Sequence, residues 1–216
     1  MRKALRWAVR ASTSPAPTVP GYAYGYWWWR GVRRGGGFGG GGPGRHDTVR
    51  SDPIELTITE MTEADLDFVI DAGSDADARR FMPQWPRPRH RDAIARADEE
   101  HLLIVERSRP VGFALLAGIG DANRSIEIRR IVVARRGEGL GRRALALILE
   151  RAFTHHDAHR VWLDVITWNE RAQRAYAAAG FVREGVLREV LYMNGRLESL
   201  VVMSVLRAEW DTLPTR

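Results

Sequence analysis

The sequence contains no cysteine, which excludes disulfides, zinc–cysteine sites and thiol nucleophiles. Lysine is nearly absent as well: Lys3 is the only one, so arginine supplies nearly all of the positive charge. With abundant alanine and glycine, that bias fits a GC-rich genome, a codon effect without functional content. No apolar run approaches the roughly 20 residues that span a bilayer. The amino-terminal MRKALRWAVRAST is broken by Arg6 and Arg10 and makes a poor secretory signal. A cytoplasmic location is the expectation.

Acidic residues are scarce at one end only. Residues 1–52 hold nine Lys+Arg against two Asp+Glu, whereas residues 53–216 hold 24 against 25. The net charge of +6 therefore belongs to the first segment and says nothing about the partners of the rest. Periodicity is lacking in the same place. Residues 12–26 are rich in Pro, Tyr and Gly, Trp27–Trp29 follow, and then RGVRRGGGFGGGGPG. Gly-rich chain loses too much entropy on ordering to fold alone. Residues 1–52 are expected to be a disordered Gly/Arg/Trp-rich tail, or a stretch translated from a start codon upstream of the natural one. Such a composition also suits RNA, by charge and base stacking.

From residue 54 the pattern is that of one folded domain, 53–216. IELTIT alternates like a strand. Thr62 with Asp65 three positions on reads as a helix start, with Met61 stapled onto Leu66 and a stop at Gly73. Residues 74–100 contain Phe81, Met82, Trp85 and three prolines, followed by a helix-like HRDAIARADEE. HLLIVE (101–106) and VGFALLAGI (111–119) read as strands joined by a short turn, and SIEIRRIVV (125–133) as the next strand. Leu145, Ile148, Leu149, Ala152 and Phe153 recur at helical spacing. VWLDVIT (161–167) is a buried type of strand, and Asn169 caps a helix through Ala179, ended by Gly180. Two final strands flank Asn194-Gly195, a strong hairpin signal. The sum is a mixed α/β domain.

Between strand 125–133 and the next helix lies RRGEGLGRR. A glycine-rich turn there presents unpaired backbone N–H groups, the helix dipole adds partial positive charge, and glycine lets the backbone approach a phosphate closely. Arg135, Arg136, Arg142 and Arg143 add charge-assisted bonds. The expectation is a pyrophosphate cradle. A Walker loop would need Gly-Lys-Ser/Thr, and no lysine is present; the Gly-x-Gly-x-Gly spacing differs from the dinucleotide fingerprint.

Arg136-Gly137-Glu138-Gly139-Leu140-Gly141 resembles the Arg/Gln-x-x-Gly-x-Gly/Ala motif of the GNAT acetyltransferases. VWLDVITWNERAQRAYAAAGFVREG resembles the second signature of that family, and LREVLYMNGRLESLVVMSVL the end of its Rim-type and spermidine-type branch, so the likeness spans roughly residues 54–207. It implies a mostly antiparallel six-to-seven-stranded sheet with flanking helices and two splayed parallel strands, here 125–133 and 161–167, that hold acetyl-CoA. The backbone of Ile131, Val132 and Val133 would pair with the pantetheine arm like an added strand. The N–H groups from Arg136 to Arg142 would hold the pyrophosphate.

Acetyl transfer from a thioester to an amine needs a proton taken from the ammonium, stabilisation of the carbonyl oxygen and a proton for the departing thiolate. Tyr176, seven residues after Asn169, matches the family's tyrosine near the sulfur and is the candidate acid; its bland alternative is a core aromatic beside Phe181. Asn169 is a candidate cofactor contact as well as a cap. Glu127, a carboxylate in mid-strand, is the candidate base, with an ion pair to Arg129 or Arg107 on an exposed strand face as the alternative. His101 and His90 are lesser candidates. His155, His156 and His159 fall in a connecting turn, and no metal is expected. Trp85 and Phe81 could wall an acceptor pocket, and Asp92, Asp98, Glu99 and Glu100 could serve a polycation. The acceptor classes are a protein or peptide N-terminus and a small amine. The alternative from another class is an RNA-associated protein, bound through its tail, with a non-catalytic acyl-CoA-binding domain. Membrane partners are not expected; a homodimer is compatible with the sequence.

Overall fold

The structure, a computed structural model, describes residues 26–29, 55–134 and 139–213. In chain order its elements are β1 (Tyr26–Trp29), β2 (Leu56–Glu60), α1 (Leu66–Ser74), α2 (Ala76–Phe81), α3 (Arg87–Ile94), β3 (Glu99–Glu106), β4 (Arg109–Ala117), β5 (Ser125–Val133), α4 (Leu140–Glu150), β6 (Arg160–Ile166), α5 (Glu170–Ala178), β7 (Val182–Met193), β8 (Arg196–Leu206) and α6 (Arg207–Trp210). Seven strands form one sheet in the order β2-β3-β4-β5-β6-β8-β7. Within this order only β5 and β6 pair in parallel.

Local chemistry sets the boundaries. The carboxylate of Asp65 accepts from the Thr62 N–H at 2.8 Å and ties off the first helical turn. Arg107 and Ser108 both take positive φ (46° and 62°), as do Asn194 and Gly195 (52° and 83°), the geometry of two-residue hairpin turns whose twist matches that of the strands. Asn169 caps α5 by accepting from the Ala172 N–H at 3.2 Å.

The sheet is covered on both faces. α4 and α5 pack on one, where Leu145, Ile148, Leu149, Ala152 and Phe153 are all buried. The other face carries Leu66 and Val69 of α1 and Met82, just past α2, against Phe113 of β4 and Val132 of β5. Each such side chain, fully buried, contributes about 1.5–3 kcal/mol.

Two expectations need correction. The helix anticipated in HRDAIARADEE lies earlier, at Arg87–Ile94. Asp98 cannot continue it, because its carbonyl already accepts from Gly118 and Ile119 N–H on the β4 side and its carboxylate is held by Arg96. Four residues of the segment read as an unstructured tail, Tyr26–Trp29, form β1 and pair with β5.

Candidate active site

β5 and β6 pair only from Ser125–Arg160 to Glu127–Trp162. Beyond that point they separate, and the cause is in β5. Leu115 lies opposite Arg130 and Leu116 opposite Ile128, which leaves Arg129 as an extra residue, a β-bulge. A bulge bends its strand. This one begins two residues past the last β5–β6 pair, while β6 stays paired to β8 over its whole length. The result is a fork with Glu127 and Trp162 at its base. Its mark in the sequence is the doubled arginine of SIEIRRIVV: Ile126, Ile128, Ile131 and Val133 share one core although the two-residue period slips at Arg129–Arg130.

The β5 edge from Arg130 to Val133 forms one wall of the fork. Past Val133 the chain reaches Gly139, the residue before α4, at φ 70° and with nothing among the described residues within 4 Å of where a Cβ would stand. No side chain caps this helix start. Its first N–H groups, Leu140, Gly141 and Arg142 among them, therefore lack the usual intrahelical acceptors, and the dipole there favours an anion. Arg136, Gly137 and Glu138 lie outside the described residues. The open space at Gly139 and the extended β5 edge fit the two parts of an acyl-CoA, a phosphate group and an amide-bearing arm.

Glu127 is 7% exposed. Its Oε2 accepts from Arg129 Nε at 3.2 Å and Nη2 at 3.1 Å, and the same guanidinium donates to Glu99 Oε1 at 2.6 Å. Arg129 is the partner anticipated for Glu127, but Glu127 is buried and Arg129 partly buried rather than on an open strand face. Glu127 Oε1 and Glu99 Oε2 are buried with no hydrogen-bond partner among the described residues. Arg96 Nε also pairs with Glu99 Oε1 at 3.2 Å, so the two carboxylates meet two guanidinium groups, and it is the two outer oxygens that stay unmatched. Burial raises the Glu127 carboxyl to about 7, with Glu99 adding to the rise and Arg129 opposing it.

That shift has a sign in stability. The folded carboxyl titrates near 7 and the unfolded one near 4.5, so between these values the folded chain holds more protons. Stability should fall as pH rises from about 4.5 to about 7 and level off above, where the burial of the charged form is fully felt. Melting temperatures across this window should show the fall, and Glu127→Gln should flatten it.

Tyr176 projects from α5 into the core, 1% exposed, its ring 5.8 Å from that of Phe181. Burial pushes its hydroxyl well above the ordinary 10, and the Asp164 carboxylate adds to the rise. The group therefore stays protonated and holds a proton it can give.

The other candidates have different places. His90 and His101 are buried, and desolvation lowers them to about 4 and about 3, so both are weak bases. His156 bonds Glu100 at 2.8 Å. Glu99 and Glu100 are neighbours on β3 and face opposite sides, the first meeting Arg129 and the second Arg151 and His156, so these two do not converge, whereas Asp98 and Glu99 share Arg96. Trp85 stacks with Arg130 at 4.1 Å and Arg89 at 3.9 Å and is a core residue, whereas Phe81 meets Trp168 at 5.1 Å beside the start of α5. Arg130 also donates to the Pro83 carbonyl at 2.8 Å, fastening the segment before α3 to the bulge. Glu99, named in the sequence only among the acidic residues that could serve a polycation, is a strand residue of β3 rather than part of a helix, and Asp164, beside Tyr176, has no such mark in the sequence.

The sequence profile of the Acetyltransferase (GNAT) family matches residues 70–181. A spermidine N(1)-acetyltransferase of Vibrio cholerae is 26% identical over 168 residues, which cover 72% of this chain and 95% of that protein. A putative ribosomal N-acetyltransferase of Bacillus subtilis, YdaF, is 30% identical over 147 residues, covering 67% and 78%. Among solved structures, the spermidine N-acetyltransferase of Vibrio cholerae in complex with CoA and spermine matches with a TM-score of 0.66 at 24% identity, covering 73% of this chain and 98% of that one. The last is a likeness of fold.

Proposed function

The chain belongs to the GNAT acetyltransferase family and is an acetyl-CoA-dependent N-acetyltransferase; we propose that its acceptor is the primary amine of a small cationic molecule, acetylated by direct attack within the β5–β6 fork. The observation that carries the acceptor class is the Glu99–Arg129–Glu127 group at the base of the fork, with one buried oxygen of each carboxylate unmatched. An ammonium group satisfies such oxygens; a neutral acceptor leaves them desolvated and unpaired. The relative from Vibrio cholerae, named for spermidine, supports the same class.

In this reading the domain at 53–216 carries the activity. The β5 edge at Ile131–Val133 lines the pantetheine arm, and the backbone from Arg136 to Arg142 holds the pyrophosphate. Asn169, fixed as the cap of α5, contacts the cofactor arm. Glu127 takes the proton of the acceptor ammonium, and Tyr176 gives one to the departing thiolate.

The test is thiol release from acetyl-CoA by the full chain with a panel of amines: spermidine, a monoamine and a peptide with a free N-terminus. Preference for the polyamine is the expected result, and turnover of the peptide alone would overturn the acceptor class. Gly139→Val tests the cofactor half. A Cβ there meets no atom of the described residues within 4 Å, so the domain should stay folded. A β-branched residue at φ 70° is strained by roughly 1–2 kcal/mol, and its side chain fills the space assigned to the pyrophosphate. Calorimetry should show acetyl-CoA binding lost while the melting temperature drops only modestly.

A further inference from the structure

The β5 edge assigned to the cofactor arm already has an occupant. Tyr26–Trp29 lies alongside it in parallel, with Tyr26 opposite Arg130, Trp27 opposite Ile131, Trp28 opposite Val132 and Trp29 opposite Val133. The other edge of those residues belongs to β4, through Leu115, Ala114, Phe113 and Gly112. β1 therefore lies on the β6 side of β5, inside the fork and above its base at Glu127 and Trp162. It packs there against β6, α2 and α5 as well.

We propose that residues 26–29 are a built-in competitor of acetyl-CoA, a pseudo-cofactor strand whose docking closes the fork to the cofactor and whose release opens it. The inference rests on the reading of the fork as the cofactor cleft. A strand edge offers each N–H and C=O to one partner at a time, so β1 and an amide-bearing arm cannot both pair with Ile131–Val133. Aromatic residues favour the extended state, which suits Tyr-Trp-Trp-Trp to this role. Residues 30–55 join β1 to β2, so docking is intramolecular and its effective concentration is set by that tether, in the manner of any linked ligand. Four residue pairs make a short strand, and such pairing is weak by itself. Acetyl-CoA can then displace it as its concentration rises, and apparent affinity falls by the fraction of chains that are closed.

The experiment uses the full chain. Trp27→Pro/Trp28→Pro removes consecutive backbone donors, so one ladder bond is lost whichever of the two faces β5. A second variant, Trp27→Gly/Trp28→Ser, weakens the strand without proline. Both should bind acetyl-CoA about tenfold more tightly by calorimetry and lower its KM about tenfold, corresponding to roughly one open chain in ten in the wild type. Both should keep kcat at saturating acetyl-CoA, which also shows that the domain is folded. Hydrogen exchange of wild type should show residues 26–29 protected alone and exchanging freely with acetyl-CoA bound. Equal affinity in wild type and both variants, or protection that survives cofactor binding, overturns the inference and leaves the cofactor assignment intact. Failure of wild type and variants alike to bind acetyl-CoA overturns that assignment and the inference with it.

Discussion

Tyr176→Phe is expected to lower kcat by about 10²–10⁴-fold, the usual worth of a positioned general acid, while the affinity for acetyl-CoA stays nearly unchanged. The substitution keeps the ring that packs 5.8 Å from Phe181 and removes only the O–H. Burial and the Asp164 carboxylate hold that hydroxyl protonated, so in the ground state it carries no charge and its removal costs little binding. Its value arises when negative charge develops on the sulfur, because a buried donor facing a new anion acts in a poorly screened environment. The loss should therefore fall on kcat and kcat/KM together. A structural hydroxyl would behave differently: its removal would lower the melting temperature and leave kcat, measured where chemistry limits the rate, near normal. That result would leave Tyr176 as a packing residue and water as the source of the proton.

The legible parts of this fold are those written in local chemistry. Thr62 and Asp65, Asn169 and the Asn194-Gly195 pair each dictate a few residues of backbone, and the structure has them where their side chains and φ values require. The site is legible only in pieces. Glu127 stands out as a mid-strand carboxylate, but its environment depends on Glu99 from another strand, 28 positions away, and on a bulge that places both beside Arg129. The bulge does leave a trace, the slipped period at Arg129–Arg130. Glu99 leaves none, because Asp-Glu-Glu after an alanine-rich run has the composition of a helix end, and only the pairing of β3 with β4 makes it a strand. The tail shows the same limit from the other side. Tyr26–Trp29 has the residues of a strand and no neighbouring period to support one; its partner, the far edge of β5, lies about a hundred positions on.

Glu127→Gln should change the pH profile as well as the rate. In wild type the base is a carboxyl raised to about 7 by burial. Below that value kcat/KM should rise tenfold per pH unit as the carboxylate is freed, and above it should level off. Three charged groups act on this titration: Arg129, which opposes the rise; Glu99, which adds to it; and the acceptor ammonium, which lowers the value once bound. A carboxyl near 7 suits the task, since one at 4.5 would be too weak a base to take a proton from an ammonium at neutral pH. Glutamine keeps the size of the side chain and an oxygen for Arg129 but accepts no proton. At pH 7 the variant should lose about 10²–10⁴-fold in kcat/KM. The deficit should shrink steadily toward alkaline pH, because there the acceptor amine arrives already neutral and needs no base. Tyr176→Phe should show no such recovery, since its missing proton is needed at the sulfur whatever the state of the amine. A Glu127→Gln enzyme that keeps the inflection near 7 at an undiminished rate would move the base to another residue and leave the Glu99–Arg129–Glu127 group as a seat for the acceptor's charge alone.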